Sequence, residues 1–164
     1  MIEEDTDILA TSVLEAARQR GLTIASAESC TGGLVSAALT SVAGASDVFD
    51  RGFITYTNEA KQQLLGVSAK SVDTMGAVSE AVVKEMAYGV LANSSADIAV
   101  SVTGIAGPGG GSRDKPVGTV WFGIAQLGEM PIATLKQYDS DSRASIREQA
   151  VVTALSLLLE AIAS

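Results

Sequence analysis

The residues whose types and spacing could do chemistry begin with one stretch of small polar side chains, Ser26-Ala27-Glu28-Ser29-Cys30-Thr31-Gly32-Gly33. It follows the apolar run Leu22–Ala25 and precedes an apolar segment with helical spacing, so it connects a predicted strand to a predicted helix. A helix N-terminus offers unpaired N–H donors and a partial positive charge, which suit an anion or a developing oxyanion. Serine or threonine there also commonly caps the first helical turn, and spacing alone leaves both interpretations open.

Two side chains of this stretch are candidate nucleophiles. A thiol at a helix N-terminus has a lowered pKa, which favours Cys30. A single cysteine is also commonly a small buried side chain, which favours Ser29 instead. Because neighbouring residues in a strand-to-helix turn point in different directions, we expect only one of them to act.

The base must come from a residue other than histidine, because the sequence contains none. That absence excludes Ser-His and Cys-His pairs and the common zinc sites. We expect no metal and no cofactor. Lys61 follows Tyr56 by five residues and is a candidate. Burial disfavours a charged ammonium and can lower its pKa by several units, which would let a neutral lysine activate a serine. The alternative for Lys61 is a solvated position on a helix.

Composition indicates one domain over residues 1–164, with 47% hydrophobic and 18% charged residues. The net charge of −8 argues against a nucleic-acid partner or an anionic membrane surface. The single cysteine, the acidic start of the chain and the lack of a membrane-spanning apolar run predict a cytoplasmic protein.

The hydrophobic pattern predicts an α/β fold: a single three-layer α/β/α domain with a mixed, mostly parallel sheet of about five strands. The predicted strands are Leu22–Ala27, Phe49–Thr57, Ile98–Thr103, Gly118–Gln126 and Ile132–Tyr138. The predicted helices are Asp5–Arg20 with Gly21 as its stop, Gly32–Val42, a helix that Asn58 caps and that runs to Leu65 with Gly66 as its stop, a long helix from Ser79 through Leu91, and a C-terminal helix from Arg143.

Three finer expectations follow from the same pattern. Neither face of Phe49–Thr57 is purely polar, so we expect that strand to be buried on much of both sides. Val67–Gly76 contains polar breaks and is predicted to be a connecting segment. The first helix is predicted to turn one face inward, formed by Ile8, Leu9, Ser12, Val13 and Ala16.

Ligands of α/β sheets bind beyond the carboxyl ends of the strands, where three loops are expected to gather: Ser26–Gly33, Thr57–Lys61 and Thr103–Lys115. The glycines of Thr103–Gly111 would let backbone N–H groups approach a phosphate. Their spacing matches neither a Walker A loop nor G-x-G-x-x-G, and a flexible surface turn is the alternative.

Five short motifs in a fixed order closely resemble the CinA C-terminal domain family, whose stand-alone members are nicotinamide mononucleotide (NMN) deamidases. The resemblance runs from about residue 5 to the end of the chain. The motifs are Ala27–Gly33, Tyr56–Lys61, Gly76–Glu80, Thr103–Pro108 and Lys115–Val120.

The resemblance implies hydrolysis of the carboxamide of NMN to nicotinic acid mononucleotide and ammonia, without a metal, in a homo-oligomer that is often a dimer. It maps a catalytic set onto Ser29, Lys61 and Tyr56, with Ser29 as nucleophile, Lys61 as base and Tyr56 relaying or orienting. Gly109-Gly110-Gly111 departs from the family, whose members often carry an acidic residue after Gly-Pro, and this leaves the shape of the loop open.

The resemblance and the loop chemistry together predict the substrate contacts. Backbone N–H groups near Cys30 to Gly33 are expected to stabilise the oxyanion and those of Gly104 to Gly109 to hold the phosphate. The predicted binding residues are Cys30, Thr31, Gly32, Gly33, Asn58, Thr103, Gly104, Gly107, Gly109, Thr119 and Arg143. Arg143 could equally be an ordinary helix-start residue. A nucleotide- or partner-binding module without turnover and an amidase for another carboxamide are the alternative functions.

Overall fold

The computed structural model describes residues 2–164, which form a five-stranded sheet with helices on both faces. The strands are β1 (Ile24–Glu28), β2 (Phe49–Ile54), β3 (Ile98–Gly104), β4 (Thr119–Gln126) and β5 (Ile132–Gln137). The helices are α1 (Ile2–Gln19), α2 (Leu34–Thr40), α3 (Asn58–Leu65), α4 (Ala69–Met75), α5 (Glu80–Ala92) and α6 (Arg143–Ala163). Among the described residues, no helix is both long and apolar enough to cross a bilayer.

The sheet is mixed, which confirms the predicted fold class. Its strand order is β2-β1-β3-β4-β5. β1 pairs in parallel with β2 and β3, whereas the β3–β4 and β4–β5 pairs are antiparallel. Four of the five strands therefore share one direction, and the carboxyl ends of β1, β2 and β3 meet at one edge of the sheet.

Two hydrophobic cores lie on opposite faces of this sheet. The larger core joins α1, α2 and α6 to the large side chains of the sheet, among them Ile98, Val100 and Phe122. The other core joins α3, α4 and α5 to small side chains such as Ala25, Ala99 and Ala125. The small residues let α5 approach closely, and the Ser101 hydroxyl donates to the Val83 carbonyl of that helix at 2.7 Å. This close packing accounts for the abundance of alanine, serine and glycine.

The predicted stops at Gly21 and Gly66 are confirmed, since both glycines follow a helix with positive φ, 66° and 70° respectively. The segment Val67–Gly76 was wrongly predicted to lack an element, because it contains α4. Ser68 caps that helix by accepting a hydrogen bond from the Ser71 N–H at 3.0 Å. In α4 only Val72 is buried, so hydrophobic periodicity could not reveal it.

Three other predictions needed correction. β2 is an edge strand with half of its residues exposed, so it is not buried on both sides. The buried face of α1 consists of Ala10, Val13, Leu14 and Ala17, whereas Ile8 is 59% exposed. The cap of α3 is Thr57, which accepts from the Ala60 N–H at 3.0 Å, and Asn58 is the first helical residue.

Candidate active site

Lys61 and Ser29 form a buried hydrogen-bonded pair at the carboxyl edge of the sheet. Ser29 follows β1, and Lys61 lies one turn into α3 with only 1% of its surface exposed. Lys61 Nζ lies 2.9 Å from Ser29 Oγ, 2.8 Å from the Thr55 carbonyl oxygen and 3.1 Å from the Tyr56 carbonyl oxygen. Within residues 2–164, no carboxylate lies within salt-bridge distance of this amine.

Burial lowers the pKa of Lys61 from 10.5 to about 8. The cause is desolvation, because carbonyl and hydroxyl oxygens replace water around the ammonium but supply no full negative charge. A substantial fraction of the lysine is therefore neutral near physiological pH.

The three acceptors around Lys61 Nζ allow a change of protonation without movement. A charged ammonium donates to Ser29 Oγ and to the carbonyls of Thr55 and Tyr56, using all three protons. A neutral amine keeps its two donations to the carbonyls, and its lone pair then faces Ser29 Oγ. In that state the serine hydroxyl donates to Lys61, which is the arrangement of a nucleophile beside its base.

The residues after Ser29 form a tight turn that leaves two consecutive N–H groups free. The Gly32 N–H donates to the Ser29 carbonyl at 3.1 Å, with Cys30 and Thr31 as the central residues of the turn. Within the described chain, the N–H groups of Cys30 and Thr31 donate to no backbone or side-chain oxygen, and Thr31 is fully buried whereas Cys30 is 6% exposed. Gly32 and Gly33 have φ values of 59° and 107°, a conformation that favours glycine.

The N-terminus of α2 is already occupied by the protein's own carboxylate, a correction to the interpretation of this helix end as a free anion site. Glu28, 1% exposed, accepts from the N–H groups of Val35 and Ser36 at 2.8 and 3.0 Å. It also accepts from the Ser36 hydroxyl at 2.8 Å. The helix starts at Leu34, two residues later than predicted. The donors that remain for a substrate belong to the turn and not to the helix.

The Cys30 side chain is a buried neutral thiol. It is 6% exposed, and burial raises its pKa to about 11. Arg147 and Lys61 act in the opposite direction but do not overcome the desolvation. The geometry thus favours Ser29 as the nucleophile of this turn.

Tyr56 and Arg143 lie together at the rim of the site. The Tyr56 side chain is 59% exposed, and Arg143 Nη2 donates to its hydroxyl at 3.1 Å. Arg143 Nη1 donates to the Gly107 carbonyl at 2.6 Å, which connects α6 to the glycine-rich loop. The Tyr56 group in contact with Lys61 is its backbone carbonyl, while its hydroxyl points to Arg143.

A cleft of about 220 Å³ opens above the Ser29–Lys61 pair. It brings together all three predicted catalytic residues and five of the predicted binding residues. The lining residues are Ser29, Cys30, Tyr56, Asn58, Lys61, Ala77, Val78, Thr103, Gly104, Ala106 and Arg143. Ala77, Val78 and Ala106 were not singled out as binding residues, because apolar side chains in loops give no chemical signal, although each lies within a motif of the family resemblance.

The other predicted binding residues do not line the cleft. The Thr119 hydroxyl is buried, 2.7 Å from the Pro116 carbonyl and 3.0 Å from Gln137 Oε1. Gly109 is exposed, and Gly107 faces Arg143 through its carbonyl. Thr31 is fully buried below the turn, and its hydroxyl has no partner within the described residues. Gly32 and Gly33 shape the turn.

No group of three or more cysteine, aspartate or glutamate side chains comes together as a metal site in the described chain. What the fold and the cleft define is a mixed α/β domain in which a buried lysine can activate a serine.

Comparison with known proteins shows the family to which this α/β domain belongs. The model of the CinA C-terminal domain matches residues 6–162. The chain therefore belongs to the CinA C-terminal domain family. It is 51% identical over 159 residues to the nicotinamide-nucleotide amidohydrolase PncC of Enterobacter agglomerans, covering 97% of this chain and 96% of that protein. It is 48% identical over 158 residues to the protein of the same name from Escherichia coli K12, covering 96% and 95%.

A solved structure shows the same fold. The competence/damage inducible protein CihA from Agrobacterium tumefaciens superposes with a TM-score of 0.94 and is 45% identical. The match covers 98% of this chain and 96% of that one. A structure from Klebsiella pneumoniae of the CinA superfamily gives a TM-score of 0.91 at 39% identity, over 96% of this chain and 98% of that chain.

Proposed function

We propose that this protein hydrolyses the carboxamide of NMN to nicotinic acid mononucleotide and ammonia, with Ser29 as nucleophile and Lys61 as base. The observation that carries the mechanism is the buried Lys61 Nζ at 2.9 Å from Ser29 Oγ. The substrate is supported by the two nicotinamide-nucleotide amidohydrolases to which nearly the whole chain is similar.

The first half of the reaction forms an acyl-enzyme. Neutral Lys61 takes the Ser29 hydroxyl proton as Oγ forms a bond to the carboxamide carbon, whose C=O electron pair moves onto oxygen. The N–H group of Cys30, which has no oxygen acceptor within the described chain and belongs to a residue that lines the cleft, stabilises this oxyanion. Lys61 then gives its proton to the leaving nitrogen, the C–N bond breaks and ammonia departs.

The second half releases the acid. Lys61, neutral again, takes a proton from water as the water oxygen attacks the acyl carbon. The tetrahedral intermediate collapses, the bond to Ser29 Oγ breaks, and Lys61 returns the proton to the serine. Thr55 and Tyr56 hold the amine in one place through both halves, because their carbonyls accept from it in either protonation state.

The cleft indicates how a nucleotide lies on this surface. Its volume of about 220 Å³ is below the roughly 300–1,000 Å³ typical of pockets that enclose a ligand. The nicotinamide end therefore fills the cleft beside Ser29, and the ribose phosphate crosses the rim. Arg143 stands at that rim without a carboxylate partner among the described residues, and supplies a permanent charge for the phosphate. Tyr56 orients Arg143 through its hydroxyl.

The direct test is ammonia release from NMN by the purified protein and by Ser29→Ala. We expect the variant to lose at least about a thousandfold in kcat, as for other serine nucleophiles. Ser156→Ala is the matched control, since that exposed hydroxyl only donates to the Val152 carbonyl of its own helix. Binding of NMN without ammonia release by the wild-type protein would identify a binding module. Faster hydrolysis of nicotinamide, nicotinamide riboside or glutamine would identify a different amidase.

The assembly is proposed to be a homodimer in the cytoplasm. Analytical ultracentrifugation of the purified protein measures the number of chains in the assembly. A single species with the mass of one chain would contradict the proposed dimer.

A further inference from the structure

The first turns of α6 connect the loops that surround the cleft. Arg143 and Arg147 are one helical turn apart, so both project from the same face of the helix. Arg143 reaches the glycine-rich loop and Tyr56. Arg147 reaches the turn that follows the nucleophile, where Nε donates to the Cys30 carbonyl at 3.0 Å and Nη2 to the Thr31 carbonyl at 3.4 Å.

The charge of Arg147 is directed at these carbonyls. It is partly buried, and no carboxylate lies within salt-bridge distance of it in the described part of the chain. A surface arginine that served solubility alone would be free in solvent or paired with an acid. A partly desolvated guanidinium whose partners are two consecutive backbone carbonyls instead fixes the orientation of those peptide groups.

The turn links Arg147 to the reacting oxygen through Cys30. Cys30 lines the cleft beside Ser29 whereas Thr31 is fully buried, so of the two free N–H groups only that of Cys30 belongs to a residue at the cleft. By holding the carbonyls of Cys30 and Thr31, Arg147 fixes the two peptide groups that follow this N–H and with them its direction.

We propose that Arg147 is a positioning residue for the hydrolysis, holding the Ser29–Gly32 turn so that the free N–H group of Cys30 meets the oxyanion. The inference rests on the proposed function of Ser29. It assigns to α6 a part in transition-state stabilisation, while Arg147 itself touches neither the substrate nor the reacting atoms.

The experiment measures kcat and KM for NMN in Arg147→Ala, Arg147→Lys and a matched control. Without the hydrogen bonds from Arg147 the turn is displaced, so we expect kcat of Arg147→Ala to fall by about 10- to 100-fold. Because the oxyanion exists only in the transition state, KM changes by less than about threefold. Arg147→Lys, which reaches one carbonyl, is intermediate, and added ethylguanidinium raises the activity of Arg147→Ala.

Arg18→Ala is the matched control, since Arg18 also donates to a loop carbonyl, that of Gly44 at 2.9 Å, on a surface away from the cleft. We expect its kcat to stay within about twofold of wild type. The acidic limb of the pH–rate profile should be unchanged in Arg147→Ala, because the contacts of Lys61 remain.

A second readout uses a fluorophosphonate that labels an activated serine. Its phosphoryl oxygen requires the same N–H donor of Cys30, so the rate of Ser29 labelling should fall in Arg147→Ala in proportion to kcat. A kcat and a labelling rate within about twofold of wild type would overturn the inference. A lower kcat together with a higher KM and a lower thermal stability, without rescue by ethylguanidinium, would mean that Arg147 only stabilises the fold.

The two proposals fail separately. A wild-type protein that is labelled at Ser29 but leaves NMN intact contradicts the proposed substrate, and the labelling rates then decide the role of Arg147. A wild-type protein that neither hydrolyses NMN nor reacts with the fluorophosphonate contradicts both.

Discussion

At the scale of single residues, the site depends on a lysine that the fold makes partly neutral. The Lys61 amine is surrounded by oxygen atoms that carry no full charge, and its pKa falls to about 8. The same three contacts suit the ammonium and the amine, which fits the proposed alternation of Lys61 between base and acid.

The pH dependence of the reaction should report this pKa directly. In the proposed mechanism neutral Lys61 is the active form, so kcat/KM for NMN should rise with pH along an acidic limb centred at about 8. Initial rates of ammonia release between pH 6 and pH 9.5 check it. A limb centred near the ordinary lysine value of 10.5 would mean that burial does not tune the base.

The same shift predicts the pH dependence of stability. Lys61 binds its proton more weakly in the folded protein than in the unfolded chain, so the unfolded state holds more protons between pH 8 and 10.5. The contribution of Lys61 to the free energy of unfolding therefore rises with pH across that window, by about 3 kcal/mol in total. Urea unfolding of wild type and Lys61→Met across this pH range measures the contribution. If the two proteins differ in free energy of unfolding by the same amount at every pH, the lowered pKa of Lys61 is contradicted.

The neutral Cys30 thiol gives a chemical prediction. With a pKa of about 11 and 6% exposure, it should resist iodoacetamide at pH 7.5 in the folded protein and react once the chain is unfolded in urea. Ammonia release should survive the treatment. Rapid alkylation with complete loss of activity would instead point to Cys30 as the nucleophile.

At the scale of elements, the position of Lys61 depends on a contact between two helices. A Cβ built on Gly89 of α5 would lie 2.0 Å from the Leu65 carbonyl oxygen at the end of α3. The backbone of α3 therefore rests directly on α5, and this contact sets the depth of the helix that carries Lys61.

Gly89→Ala should push α3 away from α5. We expect a loss of about 1–3 kcal/mol in the free energy of unfolding, the usual cost of overpacking, together with a lower kcat as Lys61 moves from Ser29. Urea unfolding and NMN kinetics measure both. Tyr88→Ala is the matched control, because that neighbouring side chain is 66% exposed. If Gly89→Ala is as stable and active as wild type, the contact does not position the lysine.

The helices and strands were predicted correctly where capping residues and hydrophobic periodicity agree. They were predicted incorrectly where one of these two signals is absent. Gly66 ends α3 as predicted, while α4 was not predicted because Val72 is its one buried residue. β2 was predicted to be buried on both faces because its large side chains are apolar on both. These side chains, among them Ile54 at 55% exposure, lie at an open edge of the sheet. Spacing cannot tell an edge strand from a central one when exposed positions are apolar.

The candidate site was predictable in its residue types and not in its connections. The absence of histidine pointed to Lys61, and the loops pointed to the edge of the sheet where Ser29, Tyr56 and Lys61 share one cleft. Glu28 could not be recognised as the ligand of the α2 N-terminus, because that contact depends on how β1 and α2 meet. Arg147 lies 117 residues from Cys30 along the chain, and no local pattern connects them.

At the scale of the whole molecule, three separate loops and one helix must converge to bind a nucleotide. In the proposed complex the phosphate interacts with Arg143, which joins the loop of Gly107 to Tyr56. Ligand binding should therefore stabilise the entire domain.

NMN should raise the thermal midpoint of inactive Ser29→Ala. At a concentration of about 100 times Kd, the stabilisation is about 2.7 kcal/mol. Nicotinamide riboside, which lacks the phosphate, and the double variant Ser29→Ala/Arg143→Ala with NMN should both show a smaller shift at equal concentration. Equal shifts in all three cases would place the phosphate elsewhere.

The two arginines of α6 also determine when the site becomes complete during synthesis. α6 follows every other described element in the chain, and domains form from their N-terminal parts onward as they are made. Ser29 and Lys61 can meet while the ribosome is still adding residues. The turn and the rim gain their hydrogen bonds to Arg147 and Arg143 only when α6 packs against the rest of the domain. A nascent chain would thus carry the proposed nucleophile and base before it gains full activity.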